Sequence, residues 1–571
     1  MKRIYNSLVA LTLLLAGSVG AIEVAAQAPS DAYRNNIKSI SGTARAQGLG
    51  GAVGAVGADP TAVHVNPAGI GLYLQHTLSG TLEVSPSNST TEWTGLNSGE
   101  VFTEKNNWVT TSGNFSVFSP VVPRSSRRDF NVNWGISYNR DHSYTRSYEL
   151  ITSLPEYGLS DYMAFQANLF GMPNSTKNIS PIVDIARDAA FIEAYTEAAS
   201  VVPVGAEDRY RSMFSATLAG TDPQDGMVHL FLPLASNLKV AESGYKSSYD
   251  FTVGMGYLDR FYFGGTLRVT NHNYNRAANY REDFQDHYNN SDYNSYLEYG
   301  TYLDVTGTSL GVNLGALVAL GDYGRVGVSY TLPQLATFRE TYSASASSYN
   351  DAFGEGDKVT TYNTDEYESG YGMTMPGELT LSAMAFFGPL GFVSYDFQYR
   401  NLGHSNLYYN NSTEKLTESD FIKEDYGAEM THRLGVEMRF NRALTFRGGY
   451  SYTGNPMKAE QLRSEPSDGL TYNAVPSGYI VDFVLPRSYQ TISAGLGYNI
   501  TPALTLDLAY VHGVRTERTY PFSGDTGKLI VAENIQDNKR VPEYDVKELS
   551  SIGGDLTTTN HKMLVTLTYT Y

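Results

Sequence analysis

Along much of the chain apolar residues alternate with polar or small ones, the period-two signature of a strand with two unlike faces. The last stretch is the clearest: Met563, Val565, Leu567, Tyr569 and Tyr571 fall on one side, and Lys562, Thr566, Thr568 and Thr570 on the other. Phe130, Val132, Trp134, Ile136 and Tyr138 oppose Asn131, Asn133, Gly135 and Ser137, and the alternation returns at 432–440, 491–498 and 504–510. A soluble sandwich also alternates, but its polar face meets bulk water. Here the second face is rich in Gly, Ser, Thr and Asn with isolated charges, which suits a crowded polar lumen. The apolar face ends in Tyr or Phe near the strand tips, as aromatic girdles do.

Fourteen such segments are predicted, at about 73–85, 106–118, 130–148, 246–257, 261–275, 297–320, 325–338, 373–387, 391–402, 429–440, 444–453, 488–499, 503–514 and 561–571. Short connections at 119–129, 258–260, 321–324, 388–390, 441–443 and 500–502 alternate with long polar ones at 86–105, 149–245, 276–296, 339–372, 403–428, 454–487 and 515–560. Short turns on one rim and long loops on the other is the outer-membrane arrangement. The prediction is all-β: a 14-stranded antiparallel transmembrane β-barrel spanning 73–571 with long extracellular loops.

Composition narrows the alternatives. Charged residues make up 18% of the 571 residues, against about 25% in globular proteins. Mean hydropathy is −0.29, too polar for a helical membrane protein, and no later segment reaches the ~20 apolar residues of a spanning helix. A net charge of −18 lacks the basic footprint that nucleic acid requires. The absence of Cys removes disulfides, thiolate metal sites and thiol nucleophiles. Lys2 and Arg3 precede the apolar run 8–16 and small residues, which reads as a signal peptide over 1–26 cleaved before Gln27, with Ala21 as an alternative.

Two stretches stand apart from the wall. Residues 27–72 lack alternation and are glycine-rich, so they form a separate element before the first strand. The longest connection, 149–245, is expected to be partly helical, with Pro181 opening a helix over 182–200. That helix packs on the rim or walls a capture groove.

Little of the chain carries catalytic chemistry. Gly48-Leu49-Gly50 fails the dinucleotide pattern because Val53 stands where a glycine is needed. The ten His do not cluster at ligand spacing, and Gly527-Lys528 lacks the phosphate-loop glycines. The expectation is no enzyme, no cofactor and no metal. A calcium site in 286–292 and a functional role for Arg124, Arg127 and Arg128 are outweighed by solvated loops.

The informative motif is 42–71, GTARAQGLGGAVGAVGADPTAVHVNPAGIG. Ala44-Arg45-Ala46, Gly48, Gly50-Gly51-Ala52, Asp59, Ala62-Val63 and Asn66-Pro67-Ala68-Gly69 resemble the N-terminal hatch of the FadL/TodX family of outer-membrane channels for hydrophobic compounds. The resemblance implies a plug in the lumen and passive uptake of long-chain fatty acids or aromatic compounds. Ligand would be captured by loops and released sideways through a gap made by an inward kink of an early strand. It implies gating or structural roles for Gly48, Gly50, Gly51, Asp59, Asn66, Pro67 and Ala68, and assigns no ligand-contacting residue. The expected location is the cell outer membrane, with termini periplasmic or luminal, and outer-membrane lipid and the barrel-assembly machinery as further partners. A secretion or cell-surface component and a general porin are the alternatives.

Overall fold

The computed structural model describes residues 28–93, 101–122, 129–153, 158–170, 181–194, 210–214, 220–221, 228–288, 291–349, 359–458, 478–523, 525–536, 539–549 and 553–571. The proposed signal peptide and Arg124, Arg127 and Arg128 lie outside them.

Fourteen wall strands follow one another around the sheet in chain order. They are β1 (Thr77–Trp93), β2 (Val101–Val122), β3 (Phe130–Ser143, resumed as Arg146–Ser153), β4 (Val228–Tyr257) and β5 (Phe261–Tyr288). Next come β6 (Ser291–Ala319), β7 (Gly324–Thr331 and Gln334–Tyr349), β8 (Tyr367–Met375 and Glu378–Phe386) and β9 (Gly391–Asn401 and Asn406–Tyr409). The circuit ends with β10 (Ala428–Arg439), β11 (Leu444–Thr453), β12 (Phe483–Thr501), β13 (Leu504–Tyr520) and β14 (Gly554–Thr570). Every neighbouring pair is antiparallel. The sheet closes where β1 meets β14, from Thr77 opposite Thr570 to Glu92 opposite Asp555. Closure leaves no open edge, which a wall surrounded by lipid requires.

The predicted strand count and pairing order hold; the lengths do not. β4 has 30 residues, roughly 100 Å at about 3.3 Å per residue, whereas about 10 residues cross a bilayer. Much of 276–296, 339–372 and 86–105, expected as loop, continues the wall. The interruption expected at 149–245 shrinks to the stretch between Ser153 and Val228.

Inversion of the two faces explains the misreading. Near the short turns, β5 points Phe263, Leu267 and Val269 outward and buries Thr266, Arg268 and Thr270 in the lumen. The parity then continues unbroken while the chemistry reverses. Tyr274, Ala278, Tyr280 and Phe284 point inward, and Asn271, Asn273, Asn275 and Arg281 outward. β6 does the same, with Leu297, Tyr299, Leu303 and Val305 inside. The wall thus has a lower storey, apolar outside and polar inside, and an upper storey with the opposite dressing. The outer apolar band is bounded by Tyr257, Phe440 and Tyr498 near the short turns and by Tyr249, Tyr395 and Tyr450 above, all exposed.

The upper storey holds a large aromatic-rich core. Two helices from the long connection enter it: α4 (Leu159–Phe170), which buries Tyr162, Met163 and Ala167, and α5 (Pro181–Asp188), which buries Ile182, Val183, Ile185 and Ala186. The helix expected over 182–200 therefore ends early. Ala190, at φ 57°, turns the chain left-handed; its amide donates to Arg187 O and that of Phe191 to Ala186 O, closing a Schellman cap. The next described residues, Ile192–Ala194, are extended.

Candidate functional site

Residues 28–37 reach into the upper core, where Ala32 and Ile37 pack, and 38–73 run inside the lower storey. They form α1 (Ser30–Asn36), α2 (Ala44–Gly48), α3 (Pro60–Val65) and a 3₁₀ turn (Pro67–Leu72), and enter β1 at Thr77. This one segment touches the inner face of all fourteen wall strands. Its partners are, in order, Glu83, Phe118, Asn131, Lys246, Arg268, Asn313, Ser329, Glu378, Asp396, Glu437, Gly449, Ser493, Arg515 and Thr566.

The glycines set how closely it can approach. Gly48 packs on Gly495, so that a Cβ on either would stand only 3.2–3.3 Å from the other's Cα. Gly50 and Gly51 are left-handed, at φ 63° and 78°, and a Cβ on Gly50 would stand 2.7 Å from the Tyr450 amide nitrogen. The turn is then pinned by side chains of the wall. Ser493 Oγ accepts from the Gly50 amide, and Asp396 accepts from the Val53 and Gly54 amides, both at 2.9 Å.

Asp59 caps α3, accepting from the Thr61 amide at 2.9 Å, and also accepts the Thr43 hydroxyl at 3.0 Å. Thr43 in turn caps α2, so one carboxylate couples the starts of two short helices. Burial pushes the Asp59 carboxyl above its ordinary value, against the pull of Arg45 and these hydrogen bonds. Arg45 reaches Glu437 at 2.9 Å; Arg447 bridges Glu437 and Asp507 at 2.8 and 2.6 Å, extending the charge chain along the wall.

Asn66, Pro67 and Ala68 form the other anchor. Asn66 Oδ1 accepts from the Ala68 amide, and Nδ2 donates to Gly54 O at 3.1 Å and, across to β6, to Ala316 O at 3.4 Å. The wall makes room with glycines: a Cβ on Gly264 would meet Pro67 O, and one on Gly315 would meet Asn66 Oδ1. Ala68 is fully buried against Tyr262 and Leu317.

Two features lay beyond sequence reasoning. His64, one of the unread positions inside the motif, pairs through Nδ1 with Asp250 at 2.7 Å, and Arg268 holds both Asp250 and the His64 carbonyl. α1 was not anticipated; its Arg34 pairs with Asp31 at 2.9 Å and with Glu340 of β7 at 3.2 Å.

Above α1 lies a cavity of about 120 Å³, walled by Arg34, Arg146, Arg276 and Arg515 together with Glu242, Asp482 and Glu517. Charged and apolar side chains line it together, and it is smaller than the ~300–1,000 Å³ of a drug-sized ligand site. The wall beside it is unzipped. The β2–β3 ladder runs only from Asn114–Asn139 down to Val122–Val132, although β2 continues up to Val101. Above that point β3 breaks at 144–145, and its continuation pairs with β4 alone while the Thr91 hydroxyl of β1 bonds to its Glu149 carbonyl. Of residues 286–292, the candidate calcium stretch, 286–288 end β5 and 291–292 begin β6; 289–290 and all the side chains lie outside the described residues.

No family model and no curated protein matches the chain. Among solved structures it is similar to a Pseudomonas aeruginosa FadL homologue, at 11% identity and a TM-score of 0.48, over 93% of this chain and 99% of that one. It is also similar to the Ralstonia pickettii toluene transporter TbuX (13%, TM-score 0.43, 94% and 100%). The Pseudomonas putida toluene transporter TodX aligns comparably (11%, TM-score 0.43, 94% and 99%).

Proposed function

We propose that the protein is an outer-membrane channel of the FadL/TodX type for passive uptake of hydrophobic molecules. In this reading 1–26 is a signal peptide, 27–72 a hatch and 73–571 the barrel, inserted by the barrel-assembly machinery with its long connections outside the cell. The observation that carries it is the luminal segment, which contacts every strand, beside a wall ladder that stops between β2 and β3. A plugged barrel is a poor conduit for water and ions. A hydrophobic ligand gains nothing from a water-filled pore, and a break beside the apolar band lets it pass into the bilayer without crossing water. The small size of the cavity means that ligand passage needs the segment or the upper core to move. The test is uptake of labelled oleate and toluene by proteoliposomes; protein-dependent entry of either supports the reading, and entry of neither ends it. A large steady single-channel conductance would favour a general porin instead.

A further inference from the structure

The ten histidines form no ligand pattern along the chain, but the closed wall brings two of them together. His512 on β13 lies directly opposite His561 on β14. Their ring centroids are 5.0 Å apart and the rings are tilted by 49°. Both share the outward parity of Tyr510 and Met563, which are exposed, whereas Val511 and Leu564 are buried on the inner face. The rung continues through Ile492 of β12 to Tyr450 of β11, in the upper girdle. The pair therefore faces out at the upper edge of the apolar band, where water reaches it.

The spacing is that of two imidazoles on one ion. With metal–nitrogen bonds of about 2.0–2.1 Å each ring centroid lies about 3.2 Å from the metal, so two rings at about 90–109° stand about 4.5–5.2 Å apart. Tyr510 supplies the outer support such a ligand needs: its hydroxyl oxygen is 2.7 Å from Nδ1 of His561. With the Nδ1 proton donated to that oxygen, Nε2 keeps its lone pair for a metal. No third histidine or carboxylate joins the pair among the described residues, so the other positions of an ion here go to water. His432 is the internal contrast. It also lies beside a girdle tyrosine, with Tyr395 Oη 2.8 Å from its Nδ1, but the residues opposite it are Phe397 and Tyr452.

We propose that His512 and His561 form a surface site for a divalent transition metal, with Cu(II) the preferred ion. Imidazole suits copper, nickel and zinc, and the order of divalent affinities puts Cu(II) first. An ion held there staples β13 to β14, the strand whose pairing with β1 closes the barrel. It stabilises the fold by mass action, since it binds the paired strands and not the unfolded chain.

The test uses the full-length barrel purified in detergent without a polyhistidine tag and titrated with Cu(II), Ni(II) and Zn(II) by calorimetry. The parent should bind Cu(II) more tightly than either other ion, and its electron paramagnetic resonance spectrum should show two coordinating nitrogens. His512→Gln and His561→Gln should each remove that binding step and the two-nitrogen signal, and His432→Gln should leave both unchanged; folding of each is checked by heat-modifiable gel mobility. Tyr510→Phe should weaken binding about tenfold. Both ligands must be neutral, so affinity should fall as pH is lowered. Cu(II) should raise the temperature of heat-modifiable migration in the parent and not in His561→Gln, and a chelator should reverse the rise. Identical Cu(II) titrations for the parent and His512→Gln overturn the site, as does a parent spectrum without imidazole nitrogen. Neither result bears on the uptake reading, because the pair faces away from the lumen.

Discussion

The hydroxyl of Ser493 on β12 is shared between two backbone groups of the luminal turn, accepting from the Gly50 amide at 3.1 Å and donating to the Gly48 carbonyl at 3.2 Å. It links a wall side chain directly to the glycine-rich motif. Gly50→Ala should displace the turn, because the left-handed conformation costs about 1 kcal/mol or more for an L-residue and the new methyl meets Tyr450. Single-channel recordings should show added openings. Ser493→Ala should destabilise by about 1 kcal/mol with fewer openings; indistinguishable traces for Gly50→Ala and the parent would remove the turn from gating.

Asn66→Ala loses a cap and two donors and leaves the Gly54 and Ala316 carbonyls short of partners, a cost of about 1–3 kcal/mol for each group stranded. The segment should become protease-sensitive in the folded barrel, measured by limited digestion and mass spectrometry; Asn66→Asp, which keeps the Ala68 cap but turns a buried carboxylate oxygen on those two carbonyls, should not restore protection at neutral pH.

Asp59 sets a pH dependence of defined sign. Its folded-state carboxyl titrates above the ordinary 3.8, so between those two values the folded segment binds more protons than the unfolded one. Stability of the segment should therefore rise as pH falls through that window and decline as pH rises through it. Asp59→Asn should flatten this slope in segment protection measured against pH; a parent that loses protection on acidification in this window would contradict the assignment.

Ser147 Oγ lies 3.3 Å from Asn107 Oδ1 across the unzipped stretch between β2 and β3. Cysteines at both positions should oxidise to a crosslink in this Cys-free chain. If ligand leaves through this seam, uptake should drop severalfold on oxidation and recover with reductant. Unchanged uptake in the fully crosslinked protein rules that exit out.

Ala190 holds the left-handed cap position of α5. Ala190→Gly should stabilise the barrel by about 1 kcal/mol, read as a higher temperature of heat-modifiable migration. Ala190→Val should do the reverse.

The sequence by itself determined the barrel, its strand count and the alternation of short and long connections. A strand between lipid and lumen must carry a period-two pattern, and that pattern is local. The motif around Gly48, Asp59 and Asn66 stood out through its resemblance to the FadL/TodX hatch, while its helix caps and left-handed turns are seen only in the structure. What lay over several strands was not. The continuation of β5 past Asn275 kept its parity while exchanging lipid for water outside and lumen for an aromatic core inside, so apolar-out became apolar-in and read as loop. His64 with Asp250 and Arg515 with Tyr33 join residues far apart in the chain. Only the closed tertiary structure decides which side chains share the lumen, because the circumference of the barrel, and no local rule, brings them within reach.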